Sequence, residues 1–261
     1  MKDQVIWITG ASSGIGAELA KQYSKTGSRL ILSARRKLAL EEVKDLCENQ
    51  KNIAILPLDL KDFKAMESHV ANAITFFGSI DLLINNGGVS QRSLIAETNF
   101  EVYKELMDIN YLGTVALSKA LLPYFIKQNK GHFTVVTSVM GKYGSPFRSG
   151  YCGAKHALHG FFDVLRMEHQ KDNIDVTLIC PGFVQTNVTI NALTGTGESL
   201  NHDDPATKNG LEVTLFCKKM ISAIDSKKWE VSFGKKEKLG VFIKRFSQKL
   251  LHGIVLRSNV R

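Results

Sequence analysis

The chain has 261 residues, 44% of them hydrophobic and 23% charged, a composition that excludes a disordered or fibrous chain and allows one large α/β domain or two small ones. No uncharged apolar run approaches the roughly 18 residues that span a bilayer, and a strand pattern starts so early that no secretory leader is expected ahead of it. The formal charge of +9 is uneven: residues 227–261 hold ten Lys/Arg against two Glu, a surplus of 8, which leaves +1 for the rest, so the basicity does not point to nucleic acid as a partner.

Residues 5–9 form an apolar run that ends in Thr9-Gly10-Ala11-Ser12-Ser13-Gly14-Ile15-Gly16, and residues 17–25 have a helical pattern. Strand, glycine-rich turn and helix together cradle a phosphate, because glycines let backbone N–H groups approach an anion and the helix N-terminus adds partial positive charge. A second strand, 29–33, leads to Arg35 and Arg36. No Asp or Glu lies between Glu18 and Glu41, so the carboxylate that would hold a ribose 2′-hydroxyl is missing, whereas a guanidinium can fork onto a 2′-phosphate. NADP(H) is therefore preferred over NAD(H), with Arg36 the better candidate of the two for a merely solvated side chain.

Helix 38–48 precedes a third strand, 53–58, and then Asp59-Leu60, where the carboxylate can cap the next helix or bond an adenine amino group. Helix 63–77 leads to a fourth strand, 80–84, and Asn85-Asn86-Gly87-Gly88. Residues 100–127 are expected to form one long helix with Asn110 at its middle, where asparagine has no propensity advantage. A fifth strand, 132–138, closes on Ser138. The helix from Tyr151 to about residue 171 carries Tyr151 and Lys155, four apart and therefore on one face. An ammonium one turn from a phenol favours the phenolate, so Lys155 is expected to lower the Tyr151 pKa toward the range useful for proton transfer. Tyr-x-x-x-Lys on its own also fits a plain surface helix.

A sixth strand, 174–180, is followed by Pro181-Gly182-Phe183-Val184-Gln185-Thr186. Residues 187–210 are polar and glycine-containing and read as a mobile lid. Helix 211–224 and a last strand, 229–233, complete the body. Leu239, Phe242, Ile243, Phe246, Leu250 and Ile254 then recur at helical spacing among Lys244, Arg245 and Lys249. Such a face packs on the body or on a second subunit, the commoner fate, or lies in a membrane interface. Cys47, Cys152, Cys180 and Cys217 have no metal-ligand spacing, so no metal is expected; reduced thiols suit a reducing compartment and a cytoplasmic location, with membrane association through 239–256 as the variant.

Strands alternating with helices imply a doubly wound, Rossmann-type parallel sheet of about seven strands in one catalytic domain, 1–234, with 235–261 as a basic amphipathic extension. At this point the chain resembles the short-chain dehydrogenase/reductases over roughly residues 3–233. The resemblance rests on the Thr9–Gly16 turn, Asp59-Leu60, Asn85–Gly88, Asn110, Ser138, Tyr151 with Lys155, and Pro181-Gly182-x-Val184-x-Thr186. It implies that Tyr151 is the general acid/base, that Ser138 orients a substrate carbonyl, and that Lys155 binds the nicotinamide ribose while Asn110 holds a water. It also implies cofactor contacts at Gly10, Ser12, Ser13, Gly14, Ile15, Gly16, Arg35, Arg36, Asp59, Leu60, Asn86, Gly87, Pro181, Gly182, Val184 and Thr186. Gly87 replaces the family's usual alanine. The basic tail departs from bacterial 3-oxoacyl-carrier-protein reductases and is more like that of lipid- or steroid-type carbonyl reductases. The resemblance thus implies an oxidoreductase acting on a small hydrophobic carbonyl or alcohol, assembled as a homodimer or homotetramer through the two long helices. The alternatives are the carrier-protein reductase activity and a nucleotide sensor that kept the fold without the reaction.

Overall fold

The structure, a computed structural model, describes residues 3–202 and 204–258. Its centre is a parallel sheet of seven strands: β1 (Val5–Thr9), β2 (Arg29–Ser33), β3 (Ile53–Ile55), β4 (Leu82–Asn85), β5 (Gly131–Val136), β6 (Ile174–Pro181) and β7 (Glu230–Phe233). They lie in the order β3-β2-β1-β4-β5-β6-β7. The inner strands are near-continuous apolar runs, as a sheet covered on both faces requires. Trp7, Phe133 and Phe162 fill one side; Leu19, Tyr23, Phe216 and Met220 fill the other.

The chain reverses its direction of travel across the sheet between β1 and β4, and a parallel sheet opens a ligand crevice at the carboxyl ends of such strands. Thr9 ties this point together. Its hydroxyl donates to Ile84 O (3.3 Å) and accepts from the N–H groups of Asn86 and Gly87, both at 3.0 Å.

Helices α1 (Gly14–Ser24), α2 (Lys37–Asp45) and α3 (Met66–Phe77) follow the first three strands. Strand three stops at Ile55, short of the expected residue 58; beyond it Leu56 N donates to Leu32 O, and Leu58 N to Ala34 O, which lies past the end of β2. The expected long helix 100–127 is broken. α4 (Phe100–Met107) and α5 (Gly113–Lys127) are joined by a π-helical turn, Asp108–Leu112, with Asn110 inside it. α6 (Ser149–Glu168) packs beside α4 and ends before the expected residue 171, where a separate short turn, Gln170–Asp172, takes over.

The stretch expected as a mobile lid, of which 187–202 and 204–210 are described, makes several contacts with the body. Leu193 bridges to Gln91 and Ser199, a short helix α7 (Pro205–Lys208) forms, and Asp204 pairs with Arg92 at 2.8 Å. Helix α8 (Val213–Asp225) leads into β7.

The tail also differs from expectation. It forms two helices, α9 (Leu239–Phe246) and α10 (Gln248–Arg257), because Ser247 is extended and its hydroxyl caps Leu250 N at 3.2 Å. Packing against Val139 and Tyr143 goes through Val241, Ile243, Leu251 and Val255. Of the apolar face read from the periodicity, only Ile243 packs inward; Leu239, Phe242, Phe246, Leu250 and Ile254 are exposed, Phe246 by 87%. No helix among the described residues is long and apolar enough to cross a membrane.

Candidate active site

A cleft of about 630 Å³ lies over the carboxyl ends of β1, β2, β4, β5 and β6. Its floor is the turn after β1. Gly10 sits at φ +63° and a Cβ there would come within 2.8 Å of Gly87 Cα; Gly14, at φ +53°, faces Thr186 across a gap that a Cβ would fill at 3.2 Å. Both are conformations that side chains other than glycine's rarely accept. Ser13 stands at the N-cap of α1, but its hydroxyl makes no capping bond. The first N–H groups of α1 thus look onto the cleft, an arrangement suited to a phosphate.

The expected cofactor residues Gly10, Ser12, Ser13, Gly14, Ile15, Arg35, Arg36, Asp59, Leu60, Asn86, Gly87, Pro181, Gly182, Val184 and Thr186 all line this cleft. Gly16 does not. It packs against the Gly10 carbonyl and Asn86, so its place is structural: a Cβ would collide with that backbone. Asp59 accepts Lys61 N at 2.9 Å, closing the turn after the third strand.

Ser138, Tyr151 and Lys155 meet on one wall of the same cleft. Ser138 caps the turn after β5: its hydroxyl accepts Met140 N (3.1 Å) and donates to Pro181 O (3.3 Å). The Lys155 ammonium donates to Val136 O at 2.8 Å and stands 5.7 Å from the centre of the Tyr151 ring. Burial brings its pKa down to about 8.

The Tyr151 phenol behaves otherwise than the four-residue spacing implied. Burial pushes its pKa above the ordinary value; hydrogen bonding from Ser138 and the charges of Arg92 and Arg148 pull the other way and do not prevail. Arg92 and Arg148 thus add to the Lys155 ammonium, 5.7 Å from the ring centre, as cations around the phenol.

Asn110 is anchored through both side-chain polar atoms. Its Oδ1 accepts Val89 N at 2.9 Å and its Nδ2 donates to Val89 O at 3.0 Å, which pins the strand-like stretch after Gly87-Gly88 to the π-turn. One acceptor site on Oδ1 and one N–H on Nδ2 are left after these two bonds. Widening the helix to a π-turn is what lets residue 110 face this loop.

These positions answer to relatives. The profile of the short chain dehydrogenase family matches residues 4–196. The human dehydrogenase/reductase SDR family member 7 is 49% identical over 201 residues, covering 75% of this chain and 59% of the relative, so the chain spans about three-fifths of that relative's length. The chain belongs to the short-chain dehydrogenase family.

Solved members share the fold. A short chain dehydrogenase/reductase from Burkholderia phymatum in complex with NAD superposes with a TM-score of 0.83 over 100% of this chain and 97% of that one, at 20% identity. A single-residue variant of the actinorhodin polyketide ketoreductase with NADPH gives 0.68 at 28% identity, over 71% of this chain and 74% of that one. Structural neighbours of this dehydrogenase thus carry either nicotinamide dinucleotide, and the cradle over Gly10 and Gly14 fits one.

Sequence reasoning missed the loop residues that hold the dehydrogenase's Tyr151 helix in place. Gln91, with no exposed surface, accepts Gly150 N (2.8 Å) and Tyr151 N (3.3 Å) on its Oε1 and so closes the N-terminus of α6. It missed Arg92 and Arg148 as well; isolated polar residues in loops give no periodic signal. His159, Cys180 and Glu230 come within 4.8 Å of one another, which no spacing announced. Glu230 pairs with Lys142 and lies 3.3 Å from His159 Nδ1, and burial drives the Cys180 thiol up to about 12. All four cysteines are free and buried.

Proposed function

We propose that this short-chain dehydrogenase is an NADP(H)-dependent oxidoreductase that interconverts carbonyl and alcohol on a hydrophobic, lipid- or steroid-like substrate, with Tyr151 as general acid/base. One observation carries the cofactor preference. Arg35 and Arg36 line the cleft just beyond β2, where an NAD site would present a carboxylate. Planar guanidinium donors match a 2′-phosphate in pairs.

Bound nicotinamide supplies or takes the hydride at the carbonyl carbon. Ser138 turns its one hydroxyl proton from Pro181 O to the substrate oxygen and so holds it. Tyr151 donates the proton that turns that oxygen into an alcohol, or accepts it in the reverse direction. Lys155 has two N–H donors left after Val136 O for ribose hydroxyls. In the test, Tyr151→Phe keeps NADPH affinity and loses most turnover of aldehydes and ketones, and Arg35→Ala weakens NADPH far more than NADH. Turnover that survives in the first variant, or equal losses in the second, would sink the corresponding assignment.

We extend the same reading to the tail, as a contact with an anionic membrane surface on the cytoplasmic side. Phe242, Phe246 and Leu250 stand in solvent beside Arg245 and Lys249, an apolar face flanked by cations. Sedimentation with anionic vesicles should show binding that weakens with salt; no binding would leave the face for a second subunit. Exposed Phe100, Tyr124, Ile126 and Met167 on α4, α5 and α6 support a homodimer or homotetramer, to be read by ultracentrifugation.

A further inference from the structure

Next to the cofactor cleft lies a recess of about 70 Å³ that shares Ser138 and Tyr151 with it. The recess adjoins the cleft at the residues read as the carbonyl site. Its lining includes the apolar Met140, Phe183 and Val188 and also two cationic residues, Arg92 and Arg148.

The two are not alike. Arg92 is saturated: Nε and Nη2 donate to Asp204 Oδ2 at 3.3 and 2.8 Å, Nη1 to Ser90 Oγ and Gln91 O, and Nη2 to Thr189 Oγ1. Arg148 is 3% exposed and poorly served. Its Nη1 reaches Ser145 Oγ and Pro146 O only at 3.4 Å, and its Nη2, buried, has no hydrogen-bond partner among the described residues. The nearest carboxylate oxygen, Asp204 Oδ2, is 3.8 Å away and already accepts twice from Arg92. A buried guanidinium left short of partners is costly unless something completes it.

The backbone holds Arg148 where it is. Phe147, just before it, takes φ +66°, a conformation rare for a bulky residue and common at functional sites. Phe147 O accepts Ser93 N at 3.1 Å, Arg148 O accepts Cys152 N at 2.7 Å, and the guanidinium lies 5.8 Å from the Phe183 ring centre. The side chain is thus fixed at the start of α6, three residues before Tyr151.

We propose that Arg148 is a substrate-binding residue whose underserved guanidinium receives a carboxylate, so that the favoured substrate is an apolar oxo acid or hydroxy acid. The proposal rests on the reading of Ser138 and Tyr151 as the carbonyl site and adds the chemistry of the substrate's other end. The carboxylate completes the Arg148 donors and balances the second positive charge of the recess, while Met140, Phe183 and Val188 enclose the carbon chain.

The test compares a medium-chain oxo acid with its methyl ester as substrates for NADPH oxidation. The wild type should favour the acid in kcat/KM by about ten- to a hundredfold, the range for one hydrogen bond to a charged partner. Arg148→Met should remove that preference, mainly through KM, and Arg148→Lys should restore part of it. A structural role alone would lower acid and ester together. Equal use of acid and ester by the wild type, or a preference that survives in Arg148→Met, overturns the proposal. Calorimetry of decanoate and decanol on the NADPH-saturated wild type needs no turnover: decanoate should bind at least tenfold tighter, and equal binding overturns the proposal. If no carbonyl compound is reduced yet decanoate is preferred, the oxidoreductase reading fails and the anion site stands.

Discussion

Lys155→Met is expected to make the cofactor-free protein harder to unfold at neutral pH while removing its turnover. Lys155 is buried, and burial lowers its pKa from 10.5 to about 8. At about 1.36 kcal/mol per pKa unit, that burden is on the order of 3 kcal/mol. Methionine removes it but leaves Val136 O without its donor, a loss of about 1–3 kcal/mol. The variant should therefore gain on the order of 1 kcal/mol at pH 7. The pH dependence fixes the cause. Because folding depresses this pKa, the unfolded chain binds more protons between pH 8 and 10.5, so the burden is whole below pH 8 and fades as pH rises toward 10.5. By pH 9.5 the wild type should recover about 2 kcal/mol, enough to reverse the order of the two proteins. Guanidinium unfolding followed by the fluorescence of the fully buried Trp7 reads both midpoints. A gap that stays constant or widens with pH would refute the electrostatic origin.

Gly10→Ala forces a side chain into φ +63° and within 2.8 Å of Gly87 Cα, so it should cost about 1–3 kcal/mol and weaken NADPH binding, read by melting and by fluorescence titration. Asn110→Leu strips Val89 of both backbone partners; about 2 kcal/mol of stability should go, and the Val89 amide should exchange faster by hydrogen-exchange mass spectrometry. Asp204→Asn leaves Arg92 without its countercharge, a loss of about 3–5 kcal/mol for a broken buried pair, and should open residues 187–210 to limited proteolysis. Burial raises the Asp204 pKa, but hydrogen bonds from Arg92 and Thr207 outweigh it and hold it below the ordinary value. Its stabilisation therefore persists at neutral pH and is lost only as pH falls through that lowered pKa.

Much of this fold was legible because parallel strands covered on both faces read as unbroken apolar runs, and because glycines at residues 10 and 14 have few alternative uses after a strand. The Tyr151 and Lys155 pair was legible from helical spacing alone. Their electrostatics were not: spacing says which groups are neighbours, whereas the phenol's acidity depends on how much water the fold takes from it and on Arg92 and Arg148, 59 and three residues away in sequence. Asn110 stood out as a polar residue in a helical stretch, but the π-turn that aims it at Val89 leaves no mark in composition. In the tail, periodicity grouped Leu239, Phe242 and Phe246 correctly on one face and could not say whether that face would be covered. Ser247 decided otherwise by ending one helix and starting another.

Glu237 sits at the root of this tail, its Oε1 accepting Phe183 N at 3.2 Å and its backbone O accepting the Tyr143 hydroxyl at 2.7 Å. Phe183 in turn backs the Arg148 guanidinium. One glutamate at the start of the tail therefore joins α9 to the loop after β6 and to the turn after β5, so a shift of α9 and the position of Phe183 are coupled through a single side chain.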